Sequence, residues 1–473
     1  MGILAICLGL VVFSHSFMDA MNLPKMWVVA LGCMVGSVGF KRYSREGEYL
    51  WLMFLGVFAA SILMSVDPIL SLMGNYYCGW ETGFLAILCY LSYQVGLNSE
   101  NLNSAGKYNY RKLDIIITIA IIISALYCIL QYIGYDNKLE HYRSFVPFKW
   151  NTVFGPSHRT SGVMGNPIWS SCLMVLGLPY MSPILYPIVL IGISTTKTRS
   201  AYAALAALIC WDCRGGLMKR KAFVIILAIA SIMALIGGVS DVERLALTRL
   251  SLTAFLAHPL VGWGPGTGAI WVLSLRDSGF ESMMASVHTI EVHSHNLITN
   301  IMATQGILGL LSWGALFFFG FRVASDRTRG SMIAMLAFSM FNPLPQMAYI
   351  IIALSCGVDM SNHELQPCGN MRRYILVLLS TFILFRYSIT MLADHKERIG
   401  DYVSAARIEP TEFFYSQRVS QYAEKSMSQH PKNPLVYFGA ANSLYSQGKD
   451  LEGDVATTIG RSFNPSKVIP TTP

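Results

Sequence analysis

Long apolar runs separated by short polar stretches divide this chain. They fall at about residues 3–18, 24–40, 49–66, 82–97, 113–134, 167–182, 184–197, 199–212, 222–239, 297–321, 331–343, 346–357 and 373–393. Runs of this length and purity predict membrane-crossing helices, because a backbone in lipid must satisfy its own hydrogen bonds. Two polar intervals stand out by size, at about 135–166 and 240–296. The second carries its own apolar, Gly and Pro content, so it is expected to be folded and functional. Within it, DVERLALTRLS repeats apolar positions at helical spacing, which predicts an amphipathic helix lying at the membrane surface.

Composition agrees with that division. Charged residues make up 13% of the 473 positions and hydrophobic ones 53%, where a soluble domain carries roughly 25% charged residues. The net charge of +8 is no sign of nucleic-acid binding, because it resides in the short loops. Lys41, Arg42 and Arg45, then Lys107, Arg111 and Lys112, then Arg214, Lys219, Arg220 and Lys221, then Arg322, Arg327 and Arg329 follow the second, fourth, eighth and tenth runs. Excess Lys and Arg mark cytoplasmic loops, so the N-terminus and these clusters are expected inside and both large loops outside. The first run lacks a basic leader and a cleavage site and reads as a retained span. Ten cysteines are scattered without metal or redox spacing.

Asn342-Pro343-Leu344-Pro345 interrupts the segment 331–357. The prolines disrupt helix hydrogen bonding, which predicts a hairpin of two short spans. That hairpin puts Arg372 and Arg373 inside and the polar tail, 394–473, outside. The tail contains HPKNPLVYFGAANSLYSQGKDLEGDVATTIGRSFNP. Its Pro431 and Pro465 have the 34-residue separation of a tetratricopeptide unit, although Gly453 and Gly460 stand where such units usually carry Ala. A single unit cannot stack alone, so the tail is expected to lean on the membrane domain or on a partner.

Nucleotide, zinc and serine-hydrolase chemistry has no motif here: there is no phosphate-binding loop, dinucleotide fingerprint, H-E-x-x-H or G-x-S-x-G. The candidate chemistry is a set of outward histidines and arginines. Ser286 to Trp313 opens polar, with His288, Glu291, His293 and His295, and then runs apolar. Histidine is the side chain that changes charge near neutral pH. At a loop–span junction it meets both water and a lipid-borne substrate. Arg159, Arg199, Arg244 and Arg249 lie on the same side. Their forked guanidinium groups suit phosphate oxygens, and a lipid diphosphate is the natural partner.

Four motifs in order carry a resemblance. His295-Asn296, nine residues and Gly306-Ile307-Leu308-Gly309 resembles the H-N-x9-G-x-x-G motif of the O-antigen ligase superfamily. Arg244, fourteen residues and PLVGWGPG resembles its Arg-plus-glycine segment. RTSGVMGNP, from Arg159 to Pro167, resembles its R-x-x-G-x-x-x-N-P motif, and TRSAY resembles its S-R-G turn. The N-terminal spans match by hydropathy alone. The resemblance implies an all-α polytopic membrane protein of about 12–13 transmembrane helices with a GT-C-like fold. A catalytic membrane domain would cover 1–393, ahead of the soluble helical tail. It implies a metal-independent, cofactor-free, inverting glycosyltransferase in the bacterial cytoplasmic membrane, with its site facing the periplasm. The donor is a glycan on undecaprenyl diphosphate; the acceptor is lipid A core or a protein. His295 is the expected general base, and Arg199, Arg244 and Arg159 the diphosphate ligands. His293, His288, Glu291, Asn296 and Arg249 stand in reserve. A tail on the His295 side favours en bloc transfer over the alternative, a polysaccharide polymerase. The non-enzyme alternative is a transporter of lipid-linked sugars.

Overall fold

The structure, a computed structural model, describes residues 1–12, 23–74, 82–98, 111–133, 159–212, 239–275 and 294–408, except 362, 364 and 400, and isolated positions in the tail. The expected span at 222–239, most of the first large loop, and His288, Glu291 and His293 lie outside the described residues.

The described residues are mostly helical, as in an all-α membrane protein, with one short strand pair. In order come α1 (Gly2–Leu8), α2 (Leu23–Ser37), α3 (Arg45–Leu63), α4 (Pro68–Met73), α5 (Gly83–Leu97), α6 (Arg111–Tyr132), α7 (Pro167–Gly177), α8 (Tyr186–Thr196), α9 (Arg199–Asp212), α10 (Val239–Ala257), α11 (Gly268–Leu275), α12 (Leu297–Val323), α13 (Asp326–Ser339), α14 (Gln346–Met360), α15 (Asn370–Arg398) and α16 (Tyr402–Ile408). Four of these are long and apolar enough to cross a membrane: Arg45–Leu63, Lys112–Tyr132, Leu297–Val323 and Asn370–Glu397. Five shorter apolar helices pack among them, Gly83–Leu97 and Gln346–Met360 being the most deeply buried. Pro343 and Pro345 end the helix before them as expected, and α13 and α14 are separate helices.

Caps set the helix starts. Ser44 Oγ accepts from Gly47 N at the head of α3, and Ser325 Oγ from Thr328 N at the head of α13, satisfying amides that have no carbonyl partner in the first turn. The core is aromatic where α3, α5, α12 and α14 meet. Phe54 stacks edge-on against Trp313 at 4.9 Å, and Trp313 lies 5.6 Å from Tyr349.

Two ends of the bundle can be told apart from long-range bonds. At one, strand Arg42–Tyr43 pairs antiparallel with Gln366–Pro367, and Glu48 accepts from Tyr90, Gln94 and Arg372. At the other, Asn296 reaches Met340, Asn342 reaches Ser200, and Arg159 reaches Thr196. Trp27 bonds Ser388 at 2.9 Å, so the last turns of α15 lie toward the His295 end, where α2 begins. In the tail, the helical residues Ala441 and Ala456 are buried together against Met427.

Candidate functional site

Three segments far apart in sequence build the His295 end. The first is RTSGVMGNP, which is stitched down along its length. Arg159 Nε donates to Thr196 O at 2.9 Å and its Nη2 to Thr198 Oγ1 at 3.0 Å. Thr160 N donates to Thr195 O at 3.2 Å, and Gly162 N to Gln131 Oε1 at 2.8 Å. Ser161 O accepts from Ser170 Oγ at 2.6 Å, and Asn166 caps α7 by accepting from Ile168 N. Behind it, Lys25 is fully buried in the first turn of α2 and donates to Val163 O at 2.9 Å and to Val12 O. Two carbonyls are the minimum company for an ammonium so far from water.

The second segment is the α8–α9 turn, which supplies the acceptors for Arg159 and places Arg199 in the first residue of α9. Helix N-termini carry partial positive charge from aligned peptide dipoles, so Arg199 adds a full charge to one already favourable to anions.

The third is α10. Its Ala246, Leu247, Leu250 and Ala254 are buried against Trp271 and Val272 of α11 and Ala303 of α12, as the amphipathic pattern predicts. Arg244 is half-buried on the inward side and reaches Asn342 Oδ1 at 3.5 Å. Arg249, five residues on, is exposed in a stripe with Leu245, Leu252 and Leu256, on a different face from Arg244.

Arg159, Arg199 and Arg244 come together. Burial pulls the Arg159 guanidinium below its ordinary value, and the neighbouring positive charges of Arg244 and then Arg199 pull it further. Like charges that act on one another in this way make a place that an anion would stabilise.

His295 precedes Asn296, which bonds the turn that carries Asn342, the partner of Arg244. It sits in the left-handed region at φ 55°, which few non-glycine residues adopt and which concentrates at functional sites. Ser294 and Asn296 hold the turn: Ser294 Oγ donates to Asn296 O at 2.7 Å, and Asn296 Oδ1 caps α12 by accepting from Thr299 N at 3.2 Å. Asn296 Nδ2 donates to Met340 O at 3.2 Å, two residues from Asn342, the partner of Arg244.

The two glycine motifs turn out to be one structural unit. Helix α12 breaks at Gly306 (φ 67°, ψ −164°), and the segment 259–264 fills the break with backbone. Ile307 N donates to Pro259 O at 2.8 Å and Leu308 N to Leu260 O at 3.2 Å, while Trp263 N and Gly264 N donate to Ala303 O and Thr304 O at 3.0 and 2.8 Å. A Cβ on Gly262 would strike Thr304, and one on Gly306 would strike Leu260. Only glycine permits both the left-handed backbone and the close approach.

An apolar groove of about 270 Å³ runs beside the site. Trp51, Phe54, Trp313 and Tyr349 line it, and it reaches Leu297 and Ile298, the two residues after Asn296. Among the described residues, no group of three or more His, Cys, Asp and Glu could hold a metal ion.

Sequence reasoning saw Asn342 only as part of a helix break, and it missed Lys25. Each had a signal: a polar residue at a break between apolar runs, and a lysine in the first turn of an apolar helix, both unusual enough to suggest a task. Models of known protein families give no match to this chain, and neither do curated proteins.

Proposed function

We propose that this protein is a membrane glycosyltransferase of the O-antigen ligase type. It moves a glycan from undecaprenyl diphosphate to a hydroxyl on lipid A core or a protein, at the outer face of the bacterial cytoplasmic membrane, within a GT-C-like bundle of about 12–13 spans. The observation that carries the reading is the meeting of Arg159, Arg199 and Arg244 next to the His295 turn. Three guanidinium groups and a helix N-terminus suit a diphosphate. The groove that reaches Leu297 suits a lipid tail.

In the proposed step the acceptor hydroxyl gives its proton to the His295 imidazole as its oxygen forms a bond to the anomeric carbon. The bond from that carbon to the phosphate oxygen breaks, and its electron pair departs with the lipid diphosphate. A single displacement inverts the anomeric centre. Fixed arginines stabilise charge where it develops on the leaving group, and they need no reorganisation to do so. Release of a proton from a hydroxyl of high pKa is the work of a general base.

A transporter of lipid-linked sugars would also use many spans and a broken helix. In transporters the groups freed at such a break bind substrate or ions. Here the segment 259–264 occupies them.

The test is full-length protein in liposomes with radiolabelled lipid-linked glycan and an acceptor. Label on a new covalent acceptor supports the transferase. Unchanged lipid-linked glycan on the other leaflet would overturn it in favour of transport. Label growing only on lipid-linked chains would make the protein a polymerase.

A further inference from the structure

We propose that Asn342 is the positioning residue that sets Arg244 and the Arg199 turn at the spacing a diphosphate requires; this rests on the transferase reading above. Asn342 lies in the turn between α13 and α14 and is 2% exposed. Its Nδ2 donates to Ser200 Oγ at 2.7 Å, and its Oδ1 accepts from Arg244 Nη2 at 3.5 Å. The orientation of the amide follows from chemistry. A guanidinium only donates, so the oxygen must face Arg244, which leaves the NH₂ for the Ser200 hydroxyl. Pro343 follows directly and restricts the backbone of the residue before it. Asn342 is therefore a short, rigid strut between the first turn of α9 and the inward face of α10, segments that no local sequence contact joins.

The choice of amide over acid carries the point. An Asp at 342 would be nearly the same shape, but it would pair with Arg244 as a charge and compete with a phosphate for it. The amide orients the guanidinium through a long, weak bond that a phosphate oxygen can displace. The same turn receives Asn296 through Met340 O, so one turn touches both the arginine cluster and the residue after His295. Asn342 does not itself touch the reacting atoms; it acts through Arg244 and Ser200.

Full-length protein in nanodiscs separates this from a packing role. Affinity is read with undecaprenyl diphosphate, which carries no glycan, and transfer is read as donor KM and kcat. Asn342→Asp is expected to melt as the wild type does and to bind the probe about tenfold more weakly. Its donor KM should rise more than its kcat falls. In a double-mutant cycle, Arg244→Ala should cost much less in an Asn342→Ala background than in the wild type. Wild-type affinity in both Asn342 variants would overturn the proposal, as would losses that simply multiply. If Asn342→Ala fails to fold, Asn342→Asp carries the test alone. Failure of the transferase reading looks different: the wild-type protein itself would not bind the probe, and the proposal would fall with it.

Discussion

The two ends of this bundle use arginine in opposite ways. At the Glu48 end, arginines meet carboxylates: Arg372 pairs with Glu48, Arg327 with Asp114, Arg322 with Glu46 at 3.7 Å and Arg329 with Asp326 at 3.5 Å. At the His295 end, Arg159 bonds a carbonyl and a hydroxyl, and Arg244 meets the amide of Asn342. A carboxylate completes an arginine, and the pair becomes a strut. A neutral acceptor fixes the direction of a guanidinium without cancelling its charge. If the first arrangement serves the fold and the second the proposed anionic ligand, the two ends should respond differently to the same kinds of substitution.

The largest response is expected at His295. His295→Asn removes the proposed base and keeps a residue that tolerates the left-handed backbone there. Transfer should fall about 10²–10⁴-fold, with undecaprenyl diphosphate binding unchanged. Full turnover in that variant would remove His295 from the chemistry.

Arginine-to-lysine changes come next and bear directly on the comparison. Arg159→Lys, Arg199→Lys or Arg244→Lys keeps the charge but loses the fork, and each should lower transfer about 10²–10³-fold. Arg372→Lys at the other end should leave donor KM untouched. Activity abolished by EDTA and restored by Mg²⁺ or Mn²⁺ would mean that a metal, rather than the arginines, neutralises the leaving group.

How much of this could be read from the chain divides along physical lines. Spans are governed by composition over about 20 residues, so α3, α6, α12 and α15 stood out. The Pro343–Pro345 break likewise gave two helices. Arg244 ranked above Arg249 in sequence only through its motif, since both lie on the same amphipathic stretch. A 100° turn per residue put one toward the bundle and left the other exposed. The partnership of Gly262 with Gly306 was invisible because it is made by backbone across some forty positions of chain, with no side chain to announce it. Asn342 escaped for a related reason: its amide is informative only once Ser200 and Arg244 are known to face it.

Stability, rather than activity, should respond at the Glu48 end. Glu48 accepts from Tyr90 Oη at 2.6 Å and Gln94 Nε2 at 2.9 Å and pairs with Arg372, whose guanidinium also lies 4.3 Å from the Tyr43 ring centroid. The side chains of the pair are 22% and 14% exposed, so water screens them little. Glu48→Gln keeps the shape and removes the charge. It should cost about 2 kcal/mol, read as a lower melting temperature in detergent, with donor KM unaltered. A raised donor KM would mean that the two ends are coupled and that their separation into strut and site is wrong.

The smallest effect is expected at Arg327 and Asp114, which tie the head of α13 to the head of α6. The Arg327 side chain is 51% exposed, so solvent screens the pair and its long side chain loses rotamer freedom to form it. Asp114→Asn should cost about 0.5 kcal/mol or less, a shift near the resolution of a melting curve, and the loss should shrink further as salt is raised. Glu48→Gln and Asp114→Asn both turn one little-exposed carboxylate into an amide at the same end of the molecule; they differ in the exposure of the arginine partner, 22% against 51%, and in the two further hydrogen bonds that Glu48 accepts. Equal losses would show that neither the exposure of the arginine nor the extra hydrogen bonds of Glu48 sets the strength of these pairs.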